Sequence, residues 1–249
     1  MDGLKTQDLI ISGLECELLG LKIGRLDVKE KVHVDYVIEC IRTHNLDLLR
    51  LKIENPIREL YSHLDRLPYN YYLLNISQCF EAKKNTLNSN ESFDNVLFQD
   101  YTQEYQEVMK EIVMKSFSTH DGSYYYNPKV SGIYNSSDEL NSMAVYMSNE
   151  FHDGEHRWAK LVFAGEIPVG FVSYKITGEV ATGDMFGVLP EYQRSGIGRK
   201  IGIYVLSQLS NKTVRNYVQI QQIPSLNLHY SLGMKPTGIV LNFHITNIS

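Results

Sequence analysis

Cysteine is scarce in this chain. The three present, Cys16, Cys40 and Cys79, are widely spaced and form no Cys-x-x-Cys or Cys/His ligand pattern. That excludes a disulfide framework and leaves reduced core thiols of a cytoplasmic protein. The opening residues, MDGLKTQDLI, lack a basic stretch leading into an apolar run, so no signal peptide is expected. No segment approaches the roughly 20 apolar residues of a membrane span, and no membrane partner is expected. Positive charge is not in excess either. With 24 Lys and Arg against 29 Asp and Glu the net charge is −5, which argues against a nucleic-acid binder needing clustered cations. There is no internal repeat, no low-complexity tract and no ligand cluster at metal spacing, so no metal is expected.

What is present is a globular composition, 43% hydrophobic and 21% charged, in a chain long enough for a substantial core. Val34, Val37, Ile38 and Ile41 recur at helical spacing and predict a helix over about 33–43. DLLRLKIE (47–54) alternates Leu49, Leu51 and Ile53 with Arg50, Lys52 and Glu54, the pattern of a half-buried strand. Asn55 and Pro56 offer a cap and a first turn for a helix carrying Ile57, Leu60, Tyr61 and Leu64. YYLLNISQCFE (71–81) reads as a strand, and the polar KKNTLNSNESFDN (83–95) as a linker. The expected division is therefore an N-terminal βαβ-type domain, residues 1–90, and a second domain, 91–249.

In the second domain a helix carries Tyr105, Val108, Met109 and Ile112, followed by the aromatic, broken stretch SFSTHDGSYYYNPK (116–129). Ser136 and Glu139 form a candidate capping box. Three strands follow in succession, WAKLVFAG, PVGFVSYKI and VATGDMFGVLP. QRSGIGRK (193–200) then opens a helix with Ile197, Ile201, Tyr204, Val205 and Leu209 on one side. VRNYVQIQ (214–221) is a strand, SLNLHYSL (225–232) a short helix and TGIVLNFHI (237–245) a last strand. The class is α/β (α+β) with a mixed sheet.

QRSGIG runs from a strand end into a helix, so amides from Arg194 to Gly198 can converge on one anion, aided by the helix dipole. Gly196 and Gly198 remove Cβ atoms where a phosphate must approach the backbone, and Arg194, Arg199 and Lys200 add screened charge. The GK[ST] ending of a Walker loop and the third glycine of a dinucleotide fingerprint are absent.

The run VLPEYQRSGIGRKIGIYVLSQL resembles motif A of the GCN5-related N-acetyltransferase (GNAT) superfamily, with Gln193, Gly196 and Gly198 filling the pattern. The resemblance spans about residues 96–249 and implies a GNAT fold, a central mixed β-sheet flanked by helices, beside the smaller N-terminal βαβ-type domain. It further implies that Gln193, Arg194, Ser195, Gly196, Ile197, Gly198, Arg199 and Lys200 cradle the pyrophosphate of coenzyme A. The preceding strand, Met185, Phe186, Gly187 and Val188, would pair with the pantetheine arm. QIQQIPSLNLHYSLGMKP resembles the family's N-x-x-A-x-x-L-Y-x-x-x-G-F segment, with Gln222 at the usual Asn and His229 at the usual Tyr. In relatives that tyrosine protonates the departing thiolate. A phenol stays protonated at neutral pH, which favours the neighbouring Tyr230, with His229 the rival; about 100° of helix separates them. Asp184, His120 and His244 are the candidates to accept the amine's proton.

ECELLGLKIGRLDV (15–28) is similar to the opening segment of the bacterial dTDP-amino-sugar N-acyltransferases, of the dTDP-fucosamine acetyltransferase type. Ser116, Phe117, His120, Tyr126, Asn127 and Pro128, then Phe243 and His244, follow in the same order. This implies transfer of an acetyl or short hydroxyacyl group from acyl-CoA to a nucleotide-linked deoxy-amino sugar. His120, Tyr124, Tyr125, Tyr126 and His244 would then contact that acceptor, the tyrosines by stacking. The alternatives are a protein or small-molecule amine as acceptor, or a non-catalytic acyl-CoA sensor. A homodimer is the assembly considered.

Overall fold

The computed structural model describes residues 9–29, 32–83, 93–117, 141, 144–145 and 157–248. The class is mixed α/β, with a large mixed β-sheet flanked by helices. The chain forms two units. Among the described residues the first takes 9–29, 32–78 and 238–248, and the second takes 79–83, 93–117, 141, 144–145 and 157–237. From Gly238 onward the chain thus belongs to the first unit, a return that the expected division at residue 90 did not contain.

The first unit contains β1 (Ile10–Ile11), α1 (Gly13–Leu19), β2 (Ile23–Lys29), α2 (Val34–Thr43), β3 (Leu48–Glu54) and α3 (Leu60–Leu64). It also holds most of two long strands, β4 (Asn70–Ala82) and β10 (Lys235–Thr246), in the order β1-β2-β3-β10-β4. β2 runs parallel to β3 from Ile23↔Leu48 to Lys29↔Glu54, and β10 antiparallel to β3 from Val240↔Glu54 to Thr246↔Leu48. The period-two pattern of β3 decides which side is buried. Leu49, Leu51 and Ile53 join Leu26, Phe243 and Ile245 against Val37 and Ile41 of α2 and Leu60 and Leu64 of α3. Each such side chain removed from water contributes about 1.5–3 kcal/mol. Ile23 and Leu48 face the other way and meet Cys16 and Leu19 of α1.

Asn55 and Pro56 do not begin a helix. Asn55 is left-handed (φ 52°), its N–H donates to Ile239 O at 2.9 Å, and its carboxamide fills the space where a Cβ on Gly238 would stand. α3 starts only at Leu60, after Glu59. Asparagine tolerates the left-handed region better than other side chains, so here it makes a turn instead of a cap.

The second unit contains β5 (Val96–Asp100), α4 (Gln106–Ser116), β6 (Arg157–Ala164), β7 (Ile167–Thr177), β8 (Val180–Val188), α5 (Ile197–Gln208), β9 (Thr213–Gln219) and α6 (Ile223–Ser231). Cys79–Ala82 at the end of β4 lie beside β9, giving the order β4-β9-β8-β7-β6-β5. β5 to β8 form an antiparallel meander, and β9 is parallel to β8. Alternation again sorts the faces. Phe171 packs with Met109, Ile112 and Val113 of α4, while Val172 and Tyr174 pack with Ile197, Ile201 and Val205 of α5 and with Leu232. The expected capping box at Ser136 and Glu139 lies outside the described residues. No helix among the described residues is long and apolar enough to cross a membrane.

Candidate active site

β8 and β9 pair only at Val180↔Thr213, Ala181↔Val214 and Thr182↔Arg215, although β8 continues to Val188 and β9 to Gln219. Two features part them. The register between β7 and β8 shifts between Ser173↔Met185 and Tyr174↔Gly183, so Asp184 is an extra, bulged residue that bends the strand. On the other side the Asn216 carboxamide occupies the place of a Cβ on Gly183, which only a glycine leaves vacant.

Ser173 fixes the direction of the β8 backbone past the bulge. Its Oγ accepts the Met185 N–H at 3.2 Å and donates to the Met185 carbonyl at 3.3 Å. Alternation along the strand then turns the N–H and C=O of Phe186 toward the opening, and those of Gly187 back to β7. The Gly187 carbonyl agrees: it lies 2.7 Å from where a Cβ on Gly170 would be. Phe186 thus presents a donor and an acceptor at the slot where an amide-bearing arm would add like a strand.

At the end of β8 the chain turns into α5. Gln193 Nε2 donates to Val188 O at 3.0 Å and Ser195 Oγ to Tyr192 O at 2.6 Å, holding the turn from within. Arg194 (φ 61°) and Gly196 (φ 87°) are both left-handed, and Gly196 is the N-cap residue. No side chain among the described residues caps this helix, whose first N–H groups have no intrahelical acceptor. A Cβ on Gly196 would meet nothing within 4 Å, whereas one on Gly198 would touch Phe186 Cζ at 3.4 Å. Bare amides, a helix N-terminus and open space at a glycine fit a pyrophosphate. Arg199 and Lys200 are directed elsewhere. Arg199 donates to Ser231 O and Oγ at 2.9 and 3.1 Å, and Lys200 to Asp94 O at 2.8 Å, so both staple the helix to its neighbours.

That staple brings the last turn of α6 beside the cradle, where Leu228 Cδ2 comes within 3.8 Å of a Cβ position on Gly198. Gln222 sits at the N-cap of α6; its carbonyl accepts from Leu226 N at 3.0 Å, with Pro224 in the first turn. His229 and Tyr230 both pack on Phe80, at centroid distances of 5.2 and 5.0 Å, but differ in exposure. His229 is 8% exposed and Tyr230 54%. Both ring nitrogens of His229 are engaged, Nδ1 with Ser225 O at 2.7 Å and Nε2 with Asn216 Nδ2 at 3.0 Å. Burial pushes its pKa below the ordinary histidine value, partly offset by the bond to Ser225, so the ring is neutral at pH 7. Its single N–H is committed to a carbonyl. The Tyr230 hydroxyl has no hydrogen-bond partner among the described residues.

The candidate bases are placed differently. Asp184, at the bulge, is paired with Arg157 at 2.7 Å. His244 is fully buried on β10, opposite Arg50 of β3; burial, then the nearby guanidinium, hold its pKa well below the ordinary value. An imidazole so depressed is a weak proton acceptor. His120, Tyr124, Tyr125 and Tyr126 lie outside the described residues. Ser173, Asn216 and Arg157 were not singled out from sequence. Only Gly183, one of two glycines inside the strand VATGDMFGV, carried a signal of a bulge or close approach.

The profile of the acetyltransferase (GNAT) family matches residues 98–234, more than half of the chain. The chain belongs to this family. Membership indicates an acyl-CoA-dependent N-acyltransferase. The matched stretch of this GNAT protein includes the bulged strand, the glycine turn and both residues of the α6 pair. No curated protein matches it in sequence. Among solved structures, a functionally unknown conserved protein from Staphylococcus epidermidis is similar in fold, with TM-score 0.65 at 15% identity over 99% of this chain and 94% of its own. A GCN5-related N-acetyltransferase from Kribbella flavida gives TM-score 0.58 at 14% identity, over 91% and 81% of the two chains. A tandem GNAT protein from the clavulanic acid biosynthesis pathway gives 0.58 at 13%, over 90% and 75%.

Proposed function

We propose that this GNAT protein transfers an acetyl or short hydroxyacyl group from coenzyme A to the amine of a nucleotide-linked, dTDP-type deoxy-amino sugar. The observation that carries the transferase part is the opening between β8 and β9 ending at an uncapped helix with open space at Gly196. Gly196, Ile197 and Gly198 would hold the pyrophosphate and the Phe186 carbonyl a pantetheine N–H. Bound acyl-CoA supplies an activated acyl group. The neutral amine attacks the thioester carbonyl, a C–N bond forms and the C–S bond breaks. The Phe186 N–H is the donor available to the oxyanion. Tyr230 gives its phenolic proton to the leaving sulfur and regains one from solvent, and the amine's proton leaves to solvent. With its only N–H on Ser225 O, His229 is left out of this step.

The acceptor class is supported by the likeness of residues 15–28, of Ser116 and Phe117, and of Phe243 and His244 to the amino-sugar enzymes. Thiol release from acetyl-CoA with dTDP-3-amino and dTDP-4-amino sugars, peptides and polyamines as acceptors tests it. Turnover with an amino sugar alone is the expected result. Turnover confined to peptides or polyamines sinks the acceptor assignment, and coenzyme A binding without turnover on any amine makes the protein a sensor. Tyr230→Phe is expected to lower kcat about a hundredfold.

A further inference from the structure

Asn216 is the first residue of β9 beyond its last pair with β8, and its side chain fills the vertex of the opening. It touches three elements. The carboxamide lies against Gly183 of β8. It shares a hydrogen bond with the buried Tyr174 of β7, whose hydroxyl burial has pushed up to about 12, so that the phenol is always protonated. Its Nδ2 faces His229 Nε2 at 3.0 Å and Met234 Sδ at 3.7 Å. The proton positions along this chain are determined. Ser225 O can only accept, so Nδ1 carries the hydrogen, and Nε2 of a neutral ring must accept from Asn216. Released from Asn216, the ring could move its proton to Nε2 and give up the Ser225 carbonyl, which belongs to the preceding turn of the same helix.

We propose that Asn216 is a positioning residue for acyl transfer: by holding His229 in the Nδ1–H tautomer it locks the last turn of α6, and with it Tyr230, beside the opening. The inference rests on the reading of Tyr230 as proton donor. Asn216 touches no reacting atom in this scheme. It acts through His229, on the residue next to it, and its effect therefore falls on turnover and not on acyl-CoA binding.

NMR of the whole protein carrying isotope-labelled histidine reads the tautomer directly. Wild type is expected in the Nδ1–H form at neutral pH, and an Nε2–H or doubly protonated His229 overturns the proposal, whether or not any variant folds. Asn216→Leu keeps the number and branching of the side-chain heavy atoms and removes the hydrogen bonds. It is expected to lose the fixed tautomer and to lower kcat about tenfold, with KM for acyl-CoA changed less than about threefold. An unchanged kcat, or a loss confined to KM, means that Asn216 only shapes the cleft, and the proposal fails. Asn216→Asp offers Nε2 a carboxylate and draws a second proton onto the ring, restoring the link. Its kcat is expected within about threefold of wild type with His229 doubly protonated, and failure of that rescue counts against the idea. Tyr230→Phe separates the two claims. Full activity in that variant defeats the proton-donor reading whatever the histidine spectrum shows. Activity lost there but kept in Asn216→Leu defeats the role of Asn216 alone.

Discussion

Two strand-helix-strand segments whose strands pair in parallel, one in each unit, have the same grammar and different outcomes. In the first unit β2, α2 and β3 run Ile23 to Glu54, and the two parallel strands stay in register over their full length. In the second, β8, α5 and β9 run Val180 to Gln219, and the strands separate after Thr182↔Arg215. Their glycines differ in the same sense. A Cβ on Gly24 would stand 2.7 Å from Leu46 Cδ1 and 3.0 Å from Leu9 Cδ1, so that glycine serves packing, whereas around Gly196 there is open space. Neither helix has a side-chain cap and both bury their first residue, Val34 and Ile197, but α2 follows His33 in an extended conformation whereas α5 starts on the left-handed Gly196. A parallel βαβ segment is a scaffold when zipped, and becomes a ligand slot when a bulge and a wedging side chain hold its strands apart.

Substitution of the two glycines gives the sharpest contrast. Gly196→Val places a branched side chain in a left-handed position and into the cradle. It is expected to raise KM for acyl-CoA about a hundredfold or more, as read by initial rates. Gly24→Ala forces Leu46 and Leu9 aside and is expected to cost about 1–3 kcal/mol in denaturant unfolding, leaving kcat and KM of the folded protein unchanged. Impaired acyl-CoA binding in Gly24→Ala would mean that the first segment is not merely a scaffold.

Among the described residues each unit also holds one buried neutral histidine, His244 in the first and His229 in the second. Both have folded pKa values below the unfolded value of about 6.5. The unfolded chain therefore takes up the proton first. Their stabilisation is complete above about pH 6.5 and is lost as pH falls toward the folded values. Tm is expected to drop between pH 7 and pH 5, and His244→Gln to flatten that slope more than His229→Gln, because the His244 shift is the larger. The smallest effect is expected at Arg199. If its guanidinium only staples α5 to Ser231, Arg199→Gln changes KM for acyl-CoA less than about threefold, with no new salt dependence. A tenfold rise that is largest at low salt and shrinks as salt screens the wild-type contact would place Arg199 in the phosphate cradle after all.

Much of this was legible in the sequence, for local reasons. Leu49, Leu51 and Ile53 announce a strand because side chains alternate across a sheet, and Val34, Val37 and Ile41 a helix because they share one face. The glycine turn at 193–198 is legible because glycines between a strand end and a helix mark a turn with left-handed residues. Asn55 misled because asparagine serves caps and left-handed turns equally, and its partner, Ile239, lies far along the chain. The carbonyls that Arg199 and Lys200 reach were not legible, because flexible cations beside a glycine loop carry no record of their partners.

By itself the sequence determined the class of elements, the glycine turn and the presence of a His–Tyr pair near the end of a short helix, since each depends on residues close together. Tertiary structure alone decided which of the pair is buried. It also decided that β10 closes the first unit, and that Asn216, Gly183 and the bulge at Asp184 hold β8 and β9 apart. Those outcomes depend on which side chain fills the space beside another strand, and that is settled only when distant segments compete for the same volume.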